Sequence, residues 1–303
     1  EVITSAQSFF TAPNMIAKVG AKPVFIDCEL VTRNLDLAAI ERAITPRTKA
    51  IIPTYWPGTL PDLEALHTLA RSRGLRVIED AALVLGSRFN GRPVGSFGDL
   101  TTFSFHPNKN ITSIEGGALV VNDTSEAKEV ESLRFHGIRY LPDRTRDVAF
   151  PGGKFNLPDV NARVGFAQLA RLPEFLARRR VLVDRYFARF ETDPDCVLPP
   201  RPDGDDGQSW NMWSVLLPLD RLTLSRQAFR EAMEARGIGT GVSYEALHLT
   251  TLGRSWGYGE GDFPVTERIA RETVTLPLHA AMSEADVDRV CAATREILAG
   301  ARR

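Results

Sequence analysis

As far as Val121, short apolar runs alternate with stretches in which apolar residues recur every three or four positions. The short runs predict strands at residues 2–5, 22–26, 50–54, 76–78, 101–105 and 118–121. The longer spacing predicts amphipathic helices at residues 37–44 and 62–73. Alternation of this kind implies an α/β layer around a mainly parallel sheet. Ligands of such sheets gather at the carboxyl ends of strands, where loops and helix starts converge. Three positions answer that description: Asp80 closing RVIED, Lys109 after FSFHPN, and Tyr55 after IIPTY.

The pattern changes further on. Residues 137–155 read as a loop, with Pro142, Pro151, Gly152 and Gly153, and residues 159–191 as one long helix. A polar connector, PPRPDGDDGQS (199–209), precedes a strand in WSVLLPL, a helix in SRQAFREAMEARG and a terminal helix over residues 284–298. This predicts a large domain over 1–170, and over 171–303 a long connecting helix with a smaller α+β domain. With 303 residues the chain is long enough for both.

Charge narrows the function classes. A formal net charge of −1 gives no electrostatic case for nucleic acid or an anionic membrane. The densest basic run, Arg178-Arg179-Arg180, lies in the helical pattern LPEFLARRRVLVDRYFARF and reads as a solvated helix face. Cys28, Cys196 and Cys291 are far apart, with no metal spacing and no disulfide framework, so no metal is expected and a reducing, cytoplasmic setting fits. No apolar run reaches the roughly 18 residues of a spanning helix.

The chemistry then rests on two residues. A carboxylate closing a strand, as Asp80 does, can pair with a protonated ring nitrogen, or can cap a helix. Lys109 follows the next predicted strand. A lysine there is either a solubilising charge or a nucleophile whose amine is freed by desolvation. Ser104 offers a hydroxyl to a phosphate oxygen, and Glu115-Gly116-Gly117 makes a tight turn.

Several segments in order carry a resemblance: AKPVFIDCE, ITPRTKAIIPTY, VIEDAA, GRPVGSFGDLTTFSFHPNKNITSIEGG, LRFHG, KFNLPDVNARVGFAQL, GIGTG and TLPLH. Together they resemble the DegT/DnrJ/EryC1/StrS sugar aminotransferases, which use pyridoxal phosphate (PLP) on fold type I. SFHPNKNIT is most similar to the branch acting on 4-keto nucleotide sugars. The resemblance implies a PLP-binding domain over 1–170 and assigns Lys109 as the lysine that carries the cofactor. Asp80 is then the partner of the pyridine nitrogen, Phe9 of SFFTA the aromatic on the ring, and Ser104 a phosphate contact. Asn156 of KFN would reach the phosphate of a neighbouring subunit, which implies a homodimer with shared active sites. His248 of EALHLT, with Tyr244, is placed at the sugar pocket. The implied reaction moves an amino group from a donor such as glutamate to a keto sugar, with neither nucleic acid nor membrane as partner.

The chain departs from the family at three places. Leu83 stands where a Gln or His usually contacts the cofactor's ring oxygen, and Ser243 where a histidine is frequent. The chain also opens at Glu1 in a strand-like run, as a fragment does, without the family's N-terminal Gly-Thr phosphate turn. Lacking that turn, weaker cofactor affinity is expected. Two alternatives follow: a PLP-dependent sugar dehydratase, which replaces the lysine with histidine and so conflicts with Lys109, and a non-catalytic ligand-binding protein on the same scaffold. His106, His136 and Glu115, and the loop residues Arg139, Arg144 and Arg146, are read as packing, turn or solvent residues.

Overall fold

The computed structural model describes residues 1–98, 100–191, 196–201 and 207–303. Asp99 of the GSFGD segment and residues 202–206 of the expected connector lie outside them.

The six predicted strands form one sheet. They are β1 (Val2–Ser5), β2 (Pro23–Ile26), β3 (Ala50–Ile52), β4 (Arg76–Asp80), β7 (Leu100–Ser104) and β8 (Gly117–Val121), in the order β2-β1-β3-β4-β7-β8. Only β8 runs antiparallel to its neighbour. Between β4 and β7 a small hairpin, β5 (Arg88–Phe89) and β6 (Arg92–Pro93), extends the loop. The crossovers α2 (Leu37–Ala43) and α3 (Leu63–Ser72) begin on Asp36 and Asp62, whose carboxylates accept from backbone N–H groups of the first turn. Their apolar faces bury Ile40, Leu66 and Ala70 against Ile3, Ile26, Ile51 and Val77 of the sheet. A further helix, α1 (Thr11–Lys18), follows β1 directly.

Beyond the sheet come α4 (Thr124–Arg134) and a hairpin of β9 (Ile138–Tyr140) and β10 (Arg146–Val148), where a loop was expected. The single long helix expected over 159–191 is two helices, α5 (Asp159–Ala170) and α6 (Leu172–Phe190). Pro173 explains the break, because it cannot donate into the preceding turn and its ring crowds the carbonyl four residues back. The remaining elements are β11 (Trp213–Leu216), α7 (Arg226–Glu234), the short α8 (Thr251–Ser255), α9 (Pro264–Glu272), β12 (Thr273–Leu276) and α10 (Glu284–Ala299). They enclose a second core in which the Tyr186 ring stacks on Trp213 at 5.0 Å, amid Phe229, Met233 and Val287. Cys28, Trp56, Leu83, Leu216 and Ile269 form a smaller cluster joining the first half of the chain to the second. No helix among the described residues is long and apolar enough to cross a membrane.

The Arg178–Arg180 run is not a solvated face. Arg180 is exposed, but Arg179 is buried, and its Nη1 donates to the carbonyls of Trp210, Asn211 and Leu278 at 3.0, 3.2 and 3.1 Å. Burial lowers its pKa to about 10. α6 turns Arg179 inward onto these three carbonyls, while the half-buried Arg178 donates to Met282 O at 2.7 Å. Arg179→Met, which keeps the aliphatic stem and strands those carbonyls, is expected to cost at least about 3 kcal/mol. A shift of the urea midpoint at unchanged slope would register it, and an unaltered midpoint would contradict it.

Candidate active site

Three neighbouring parallel strands end at one cavity of about 590 Å³. The period-two alternation of strands fixes which side chains face it: Ile52 and Thr54 from β3 and its extension, Ile78 and Asp80 from β4, Thr102 and Ser104 from β7. Register aligns them, with Thr54 bridged to Asp80 and Asp80 paired with Thr102. Lys109 enters from the loop after β7, which folds back as Ser113 N–H donates to Phe105 O and Phe105 N–H to Gly116 O. Phe9, Thr11, Ala12 and Met15 close one side from the start of α1, and Tyr244 covers it from the second half of the chain.

The electrostatics of Asp80 and Lys109 are opposed and mutual. Burial raises the Asp80 carboxyl above the ordinary carboxylate range, offset by the Ala82 N–H at 3.2 Å and by the Lys109 charge. Burial lowers the Lys109 ammonium below the ordinary lysine range, and the Asp80 charge works against that shift. A strand-end carboxylate and a lysine inclined to shed its proton thus share one desolvated chamber. Tyr244 is pushed up to about 12, first by burial and then by Asp80. Its backbone carbonyl accepts from Gln7 Nε2 at 3.0 Å, and its ring meets Phe9 at 5.5 Å. Phe9 itself is half exposed beside Phe10, and Ser104 Oγ accepts from the His106 N–H at 3.3 Å.

Two expectations change. Tyr55 does not face the cavity: it is buried on the other side of the sheet, where its hydroxyl donates to Glu79 Oε2 at 2.8 Å while His67 Nε2 meets Glu79 Oε1 at 3.0 Å. One residue's shift in a strand reverses the face, so the cavity side chain of this strand end is Thr54. His248 is not brought to the cavity either. It is fully buried, with Nε2 3.0 Å from Glu267 Oε1 and its ring edge-on to Phe263. Asn156 accepts from Lys154 Nζ at 2.9 Å and lines a separate surface hollow of about 840 Å³ with Arg134 and Tyr140.

Sequence reasoning passed over several lining residues, Thr54, His106, Glu115 and Met15 among them. Thr54 was signalled by its two-residue spacing from Ile52. His106 and Glu115 line the mouth, their side chains 3.9 Å apart, though they had been read as packing or solvent. Met15 arrives on α1, whose short pattern lies within one apolar stretch. His136, by contrast, does hold a turn: its φ is 61° and its N–H donates to Gly153 O.

The groups present suit a flat, anionic pyridine carrying a carbonyl. They comprise a carboxylate, a lysine with a depressed pKa, an uncovered aromatic ring, and the hydroxyls of Thr11, Thr54, Thr102, Ser104 and Tyr244. One of these, Thr54 Oγ1, is buried without a hydrogen-bond partner.

Comparison with known proteins agrees with this chemistry. The model of the DegT/DnrJ/EryC1/StrS aminotransferase family matches residues 1–295. The spore coat polysaccharide biosynthesis protein SpsC of Bacillus subtilis is 35% identical, over 99% of this chain and 80% of SpsC. The candidate sugar aminotransferase Spr1654 of Streptococcus pneumoniae, solved in its PMP form, superposes with a TM-score of 0.92 at 28% identity, covering 99% of this chain and 82% of that one. Helicobacter pylori PseC, an aminotransferase of pseudoaminic acid biosynthesis, gives a TM-score of 0.92 at 26% identity, covering 99% and 80%. The chain therefore belongs to the DegT/DnrJ/EryC1/StrS aminotransferase family, and is a PLP-dependent aminotransferase of fold type I.

Proposed function

We propose that this aminotransferase carries nitrogen from an amino acid such as glutamate to the ketone of a 4-keto nucleotide-linked deoxysugar. The observation that supports it most is the joint placement of Asp80 and Lys109, on neighbouring strand ends, in one cavity of ligand size. Relatives that act in polysaccharide and sugar biosynthesis support the sugar as acceptor.

Bound PLP supplies an electron-withdrawing ring and a carbonyl through which nitrogen is exchanged. Asp80 holds the proton on the ring nitrogen. Lys109, whose amine form burial favours, takes the proton from the donor's Cα and returns one at the end of the transfer. Ile52, Ile78 and Leu83 line the cavity and would keep water from the reacting face, where Phe9 would lie on the ring and Ser104 would hold the phosphate. Tyr244 borders the side from which a sugar would enter. Because the donor's keto product leaves before the sugar enters, ping-pong kinetics are expected.

The same reading divides the chain into a cofactor domain over 1–170 and a smaller domain over 171–303. It also makes the protein a homodimer. α5 buries none of its residues, and Val160, Phe166 and Leu169 stand exposed on it near Phe155. A partner would cover this apolar surface, and Asn156 beside it would then reach the partner's cofactor phosphate. A sedimentation mass of one chain would remove that part of the proposal. Three buried cysteines, far apart along the chain, fit a cytoplasmic setting.

The decisive assay supplies glutamate and a panel of nucleotide-linked 3-keto and 4-keto deoxysugars and follows the amino sugar formed. Turnover of the 4-keto members is expected, and turnover confined to 3-keto members or to non-sugar ketones would refute the substrate assignment.

A further inference from the structure

We propose that Thr54 donates the hydrogen bond to the ring hydroxyl of bound PLP that residue 83 cannot make. The proposal rests on the reading above, in which Asp80 meets the ring nitrogen and Ser104 the phosphate.

The geometry follows from strand order. β4 lies between β3 and β7, so Asp80 has Thr54 on one flank and Ser104 on the other. All three side chains belong to the cavity face. In PLP, a line from the ring nitrogen to the carbonyl-bearing carbon separates the phosphate arm from the ring hydroxyl. With the nitrogen at Asp80 and the phosphate toward β7, the hydroxyl side is turned toward β3. The side chain in register with Asp80 on β3's extension is Thr54.

Three further observations agree. Thr54 Oγ1 is, among the described residues, the one buried side-chain polar atom of the cavity lining without a hydrogen-bond partner. A buried hydroxyl left unpaired is costly, and a ligand oxygen would relieve it. A hydroxyl can donate to that oxygen in either ionisation state. Leu83 cannot compete, since it is apolar and its side chain packs with Cys28, Trp56, Leu216 and Ile269. Thr102, the corresponding hydroxyl of β7, is already engaged with Glu79 O at 3.0 Å.

The test measures dissociation constants of PLP and of 3-deoxypyridoxal phosphate, which lacks the ring hydroxyl, for the unaltered chain, Thr54→Val and Thr54→Ser. Thr54→Val is expected to weaken PLP roughly tenfold. It should leave the deoxy analogue unaffected, and Thr54→Ser should restore PLP binding. Adding Leu83→Gln to Thr54→Val is expected to recover part of the lost affinity for PLP alone. The cofactor-free Thr54→Val protein should melt no lower than the parent, because valine fills the same space without an unpaired hydroxyl. Equal weakening of both ligands, or of neither, would overturn the role of Thr54 while leaving the cofactor reading intact. Failure of the unaltered chain to bind PLP, with no borohydride-trapped label at Lys109, would overturn both.

Discussion

Lys109→Ala is expected to lower the transamination rate by at least about a thousandfold, because in the proposed mechanism one side chain both carries the cofactor and moves the proton. The loss should be chemical rather than structural. Burial already disfavours the Lys109 ammonium, so its removal takes away a desolvated charge and no core packing. Because burial lowers the Lys109 pKa, the unfolded chain holds this proton more tightly than the folded chain does at pH values below the ordinary lysine range. That is a stability penalty, and alanine abolishes it. The melting temperature of the cofactor-free variant should therefore not fall. Treatment of the parent with PLP and borohydride should place the label on Lys109, and the variant should take none in the cavity. A variant that retains turnover within tenfold of the parent, or a parent labelled elsewhere, would defeat the assignment.

How this site could be anticipated from sequence depends on the element carrying each residue. Strand ends were legible because the short apolar runs of β1, β4 and β7 close on polar residues, Ser5, Asp80 and Ser104, so Asp80 and the loop carrying Lys109 could be placed at one edge of the sheet. The face of a strand end was less secure. At Thr54-Tyr55 both residues carry hydroxyls, and the sequence does not reveal that Glu79, already joined to His67, waits behind the sheet for the tyrosine. His248 shows a related difficulty: its partner Glu267 lies in α9, and a contact between separate elements leaves no local periodicity. The helix break at Pro173 could have been read from the chain, since proline opposes continuation. Arg179 could not, because the carbonyls it serves lie at Trp210, Asn211 and Leu278, in segments its own helical pattern does not predict. α5 was legible as a helix but not as an uncovered one, because a stripe of apolar residues looks the same whether it faces a core or a second chain.

Asp80→Asn should test the second half of the site, and its effect is expected to be about a hundredfold or more on the rate. The amide keeps the shape and can still accept from the Ala82 N–H, so the backbone turn after β4 is preserved. What disappears is the negative charge, with two separable consequences. The ring nitrogen loses the partner that keeps it protonated, which slows the step that depends on electron withdrawal. Lys109 also loses the charge that opposes its desolvation, so its amine should titrate at still lower pH. Burial raises the Asp80 pKa in the folded chain, so the proton is held more tightly there than in the unfolded chain. The stability this gives is present at low pH and is lost as pH rises through the folded value. Above that value the ionised carboxylate is accordingly a burden, and there the asparagine variant should be at least as stable as the parent. The two consequences are read by different measurements: steady-state turnover for the first, and pH-dependent acetylation of Lys109 in the cofactor-free chain for the second. A downward shift of the acetylation midpoint together with slow turnover at unchanged melting temperature is the expected result. A midpoint that stays put would mean that Asp80 and Lys109 are not electrostatically coupled, and full turnover would mean that the carboxylate plays no part in the reaction.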